Sequence, residues 1–148
     1  MKTIELLRQR APGLAHRIES ADEPELRRLA SAVARAAVER TGLSDPLIDK
    51  VMQRTAPDAV LRARVLIVAE KLDDRYFTLK EPLEERQDAG KTDPHVMVAF
   101  SRARAASAVA ESLGDDAREA AASAAYEAFI ATGDADYLTD AVERALAI

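Results

Sequence analysis

The sequence predicts an all-α protein, a compact bundle of about six to seven helices, and three observations carry that reading. Ala, Leu, Arg and Glu, all good helix formers, dominate the 148 residues. No segment alternates apolar and polar residues over the length of a strand. Gly, Pro and Asp recur where one helix would stop and the next would be capped. The whole chain, residues 1–148, reads as one helical domain, since a chain of this size can bury roughly 68–70% of its unfolded surface around one core.

The elements follow in order. A first helix spans about residues 2–9 and is interrupted by Pro12 and Gly13, with a short turn from Leu14 to Glu19 behind it. Asp22 opens the second helix with Glu25 three residues on, which is capping-box spacing. Pro24 sits in the first turn, where its missing N–H costs nothing. Leu26, Leu29, Ala30, Val33 and Ala37 share one face of this helix, and Gly42 supplies a left-handed stop. Ser44 opens a third helix with Pro46 in its first turn and Leu47, Ile48 and Val51 inward.

Thr55 opens a fourth helix, near residues 57–75, with Leu61, Val65, Val68 and Leu72 as its stripe. Its run from Val65 to Ala69 is apolar around the whole circumference. A helix without a polar face is expected to be surrounded by others, so this one is predicted to be the centre of the bundle. Pro82 and Gly90 mark an irregular, charged stretch over 78–92. Asp93 caps a fifth helix that carries Val96, Phe100, Ala103, Ala110 and Leu113 and is closed by Gly114. Asp115 or Asp116 caps a sixth that runs to Thr132 and Gly133. Asp136 caps a seventh, with Leu138, Ala141, Val142, Ala145 and Leu146 inward. The last connections are a few residues long, which makes neighbouring helices antiparallel. Alanine lines the second, fifth and sixth helices and lets their axes approach closely.

Thr41–Val51 aligns with Thr132–Val142 at a constant shift of 91 residues, with Thr, Gly, Asp, Leu, Asp and Val coinciding. A duplication would give this pattern. So would the shared needs of a helix stop followed by a helix start, and two copies fall short of the three or so that a solenoid requires.

Several classes of chemistry lack their residues. There is no cysteine, hence no disulfide, thiolate metal site or cysteine nucleophile. Near the N-terminus Ile4, Leu6 and Leu7 are broken by Glu5 and Arg8, so the apolar run of a signal peptide is missing and a cytoplasmic location is expected. The Ala- and Arg-rich, Lys-poor composition points to a bacterial source. Ala89-Gly90-Lys91-Thr92 ends like a phosphate-binding loop, but Glu85 stands where that motif needs its first glycine. His16 and His95 lie in different segments without a second ligand at metal spacing. The adjacent acids Asp73/Asp74, Glu84/Glu85 and Asp115/Asp116 diverge on a helix and do not form general acid/base pairs. Arg102 and Arg104 likewise face different ways, and the one candidate basic patch is Arg27, Arg28 and Arg35 on the second helix. No catalytic residue, cofactor, metal, nucleic acid or membrane contact is therefore expected.

Arg10 and His16 resemble in their spacing the Arg-x-His motif of all-α ribonucleases of the higher-eukaryote-and-prokaryote nucleotide-binding class. Pro12 and Gly13 interrupt the motif here, and the chain is not assigned to that family. The resemblance implies RNA cleavage as an alternative activity.

Charge points elsewhere. The net charge is -5, and residues 111–148 hold nine acids against two bases, Arg118 and Arg144. Such a segment repels phosphate backbones and attracts basic surfaces. The expected function is a non-catalytic protein-interaction module, of the kind seen in bacterial immunity or antitoxin proteins, that neutralises a basic partner such as a toxin. Its expected contact residues are Asp73, Asp74, Tyr76, Phe77, Glu84 and Glu85, where aromatics adjoin a polar rim, with Asp134, Asp136 and Asp140 near the C-terminus. The alternative is a self-associating structural or accessory protein, because alanine faces can pack between chains as well as within one.

Overall fold

A computed structural model describes residues 2–53, 56–85 and 93–147, with the side chains of 83–85 excepted. Among the described residues there are eight helices and no strand: α1 (Thr3–Arg10), α2 (Pro12–Ser20), α3 (Glu23–Thr41), α4 (Pro46–Val51), α5 (Ala59–Glu85), α6 (Pro94–Ser112), α7 (Ala117–Thr132) and α8 (Ala135–Leu146). No described helix is long and apolar enough to cross a membrane.

Local chemistry sets most of the boundaries. Asp22 and Glu25 form a reciprocal capping box at the start of α3. Asp93 caps α6 and Asp116 caps α7. Gly42 and Gly133, with φ of 70° and 65°, end α3 and α7 in the left-handed region. Two expected caps move by one or two residues. The cap of α4 is Asp45 in place of Ser44, and its carboxylate accepts from the backbone N–H groups of Leu47 and Ile48. The cap of α8 is Asp134 in place of Asp136, accepting from Tyr137. Thr55 lies outside the described residues, and Asp58 does the capping of α5 through the Leu61 N–H. The segment from Leu14 to Glu19 is part of a full helix, α2.

These caps also bear on the repeat. Thr41 and Thr132 both turn their hydroxyls back to the carbonyl four residues earlier. After the two glycines the match fails, because the caps Asp45 and Asp134 are not equivalent in the alignment. The α4 helix has 6 residues and α8 has 12. Shared helix-stop chemistry accounts for the resemblance.

The centre of the bundle is α7, which packs against α6 and α3 and also touches α1, α2 and α8. Its Ala120, Ala121, Ala122, Ala124, Ala125, Ala128 and Ala131 are all buried, so its neighbours close on several sides. Small side chains permit this, since each helix can come within direct contact of the α7 backbone. Around it Leu7, Leu14, Ile18, Leu29, Ile48, Leu113 and Leu138 fill the remaining space.

The helix predicted near 57–75 is α5, and it is not central. It lies along α6, with a slighter contact to α4. Only Val65 and Ala69 of its apolar run are buried, while Ile67 is 52% exposed and Val60 70%. Bulky side chains on every side hold neighbours at a distance, and the alanine helix takes the middle instead. The stretch expected to be irregular is helical as far as Glu85, with Pro82 inside the last turn. A proline there removes a single helical hydrogen bond near an end.

Candidate interaction surface

The α5–α6 pair is an antiparallel hairpin. Arg62, Val65, Ala69, Leu72, Tyr76 and Leu79 recur on α5 at alternating spacings of three and four, as do Val96, Ala99, Ala103, Ala106, Ala110 and Leu113 on α6. That is the pattern of knobs-into-holes packing. Cross-links fix the register. The Asp58 N–H donates to the Leu113 carbonyl, Arg62 pairs with Glu111 at 3.3 Å, and the Tyr76 and Phe100 rings lie 5.2 Å apart.

Asp73 is committed to this hairpin. It binds the Arg104 guanidinium, which also reaches Glu127 on α7. Burial by itself lowers the pKa of Arg104, but the contacts with Asp73 and Glu127 outweigh it and raise the value. Burial pushes the Glu127 carboxyl upward, and Arg104 only partly offsets that. These three residues clamp α5, α6 and α7 together.

Of the other expected contact residues, Tyr76 is half-buried between Phe77 and Phe100, with the Lys80 ammonium 5.6 Å from its ring. Phe77 is 58% exposed. Asp74 is exposed, whereas the side chains of Glu84 and Glu85 lie outside the described residues. Asp134 caps α8 and pairs with Arg40 at 3.1 Å, while Asp136 and Asp140 are exposed on α8. The two groups do not meet. Helix α5 packs on α6, α6 on α3, and α3 on α8, so the acids of α5 and of α8 belong to separate surfaces.

What the structure adds is an outer face on α5 where exposed apolar residues alternate with Glu70, Lys71 and Asp74. Val60, Ala63, Ile67, Asp74 and Phe77 share it at helical spacing, and all five are exposed. Met97 and Val98 on α6 are exposed as well. In the sequence only Ile67 of these residues falls in the all-apolar run Val65–Ala69, a pattern that equally fits burial within the chain. No known family model matches this chain, and neither does any curated protein or solved structure.

The remaining motifs are dispersed. Arg10 and His16 sit exposed on different helices, α1 and α2. The segment Ala89–Thr92 is outside the described residues. Among the described residues no three His, Cys, Asp or Glu side chains are grouped as a metal site would require. The expected basic patch divides: Arg27 donates to the carbonyls of Gly114 and Asp115 in the α6–α7 turn, while Arg28 and Arg35 line a groove against α8.

Proposed function

We propose that the chain is a non-catalytic interaction module that docks a basic protein on the outer face of α5. A bacterial, cytoplasmic immunity or antitoxin-like role, in which the partner's working surface is covered, is the class of function that fits. The observation that carries the reading is the apolar stripe of Val60, Ile67 and Phe77, left open on a helix that is apolar around its middle. A stripe of this kind supplies the desolvated anchors of an interface. Glu70, Asp74 and Glu81 are exposed near Phe77 together with Lys71 and Arg75, a rim of mixed charge, and it is the net charge of -5 that speeds encounter with a basic partner. Asp136 and Asp140, on another surface, contribute to that long-range attraction alone.

The test is capture of partners from source-cell extract by tagged protein and by an Ile67→Ser/Phe77→Ser variant, at low and high salt. One stoichiometric basic protein, released by salt and lost with the variant, supports the reading. A partner retained equally by the variant overturns it.

Self-association is a second reading that one observation favours. The exposed face carries Arg64 in its first half and Asp74 in its second, so two antiparallel copies of α5 would set each Arg64 near the other's Asp74. Light scattering that finds a concentration-independent monomer removes it.

A further inference from the structure

Helices α3 and α8 enclose a groove of about 370 Å³, away from α5. Its floor is apolar, made by alanines of both helices such as Ala36 and Ala141. The direction of α8 follows from its contacts. Asp134 pairs with Arg40, the Tyr137 hydroxyl donates to the Ala36 carbonyl at 3.1 Å, and Glu143 meets Arg17 on α2. Helix α8 thus runs back along α3, with Tyr137 closing one end of the groove and Arg144 reaching it at the other, on the side of Arg28.

Two features set this groove apart from a solvated helix seam. Arg28, Arg35 and Arg144 all line it in a chain of net charge -5, with Glu39 as the single acid among its walls. Arg35 is partly engaged with the Met52 carbonyl, whereas Arg28 and Arg144 have no ion-pair or hydrogen-bond partner among the described residues. Ser31 lines the same groove and is only 8% exposed, yet its hydroxyl has no hydrogen-bond partner among the described residues. That hydroxyl is open to the groove and free to donate to a ligand there.

We infer that this groove binds a small organic anion, a carboxylate or phosphate monoester on an apolar body. The anionic head lies between Arg28 and Arg144 and accepts from Ser31, while the body covers the alanine floor up to the Tyr137 ring. The seven helical steps from Tyr137 to Arg144 span about 10 Å, which matches a chain of about eight carbons. The volume falls in the range of small-molecule sites.

The experiment titrates isotope-labelled protein with octanoate and with octyl phosphate, reading amide chemical shifts, with octanol and acetate as partial probes. Saturable shifts confined to α3 and α8 are expected, and the tighter of the two full probes names the head group. Arg28→Gln/Arg144→Gln should weaken binding by about tenfold or more, and Ser31→Ala by about threefold. Both arginines are exposed and unpaired, so the double variant keeps its fold. Shifts centred on α5, octanol binding as tightly as octanoate, or an affinity unchanged in the double variant would each overturn the assignment.

Discussion

One terminal nitrogen of Arg104, on α6, lies 2.9 Å from both carboxylate oxygens of Asp73, on α5. The other terminal nitrogen donates to Glu127 on α7 at 3.2 Å. Removing the cation leaves two half-buried carboxylates facing each other without compensation. Arg104→Met should therefore destabilise the protein by about 2 kcal/mol, somewhat less than the loss typical of a fully buried pair. Urea denaturation at neutral pH measures this. A loss within experimental error would mean that the clamp does not hold the helices.

The same cluster sets a pH dependence. The Glu127 pKa is raised above its ordinary 4.5 in the folded protein, chiefly by burial. Between those two values the folded state binds the proton more tightly than the unfolded chain does. The stabilisation from Glu127 is complete below 4.5 and is lost as pH rises through the folded value. Stability curves of the native protein and of Glu127→Gln, measured across the acidic range, should diverge in favour of the native protein as pH falls. Parallel curves would contradict the shift.

Core and face should respond in opposite ways to substitution. Ala124 on α7 is fully buried, and Ala124→Leu should cost about 3 kcal/mol, because neighbouring axes must separate to admit the larger side chain. Ile67→Ser and Phe77→Ser should each change thermal stability by less than about 1 kcal/mol, since both side chains are already largely in water. Thermal melts of the three variants decide. If Ile67→Ser proved as damaging as Ala124→Leu, α5 would be buried in the working protein.

The helix stops give a matched pair. At Gly133 a Cβ would meet nothing within 4 Å, so Gly133→Ala should cost about 1 kcal/mol from its backbone conformation alone. At Gly42 the added Cβ would lie 3.5 Å from the Arg102 side chain, which is ordinary contact, and the cost should be similar. A larger loss at Gly42 would show that Arg102, whose Nε donates to the Thr41 carbonyl, cannot adjust.

The helical fold was legible because its punctuation is local. A carboxylate reaching an N–H two or three residues on, or a glycine turning left-handed, depends on a few neighbouring residues, and Asp22, Asp93, Gly42 and Gly133 were readable, with Asp116 as one of two adjacent candidates. Ser44 and Asp136 are the expected caps, but Asp45 and Asp134, one and two residues away, reach the helix ends instead, which composition alone does not decide. The order of packing was not local. Apolar bulk made α5 look central, whereas the centre went to α7, whose small residues allow contact on several sides. The candidate surfaces failed to be legible for the same reason. Whether Asp74 and Asp140 share a face, or Arg28 and Arg144 a groove, depends on which helices touch.

The attachment of α5 along α6, with only a slight second contact, gives the molecule a margin distinct from its body. Helices α3, α6, α7 and α8 enclose most of the buried alanine without it. The long helix is a leaf bound along one edge, and its backbone amides should exchange with solvent sooner than those of α7. Substitutions on the outer side of the leaf leave the packing of the trunk in place.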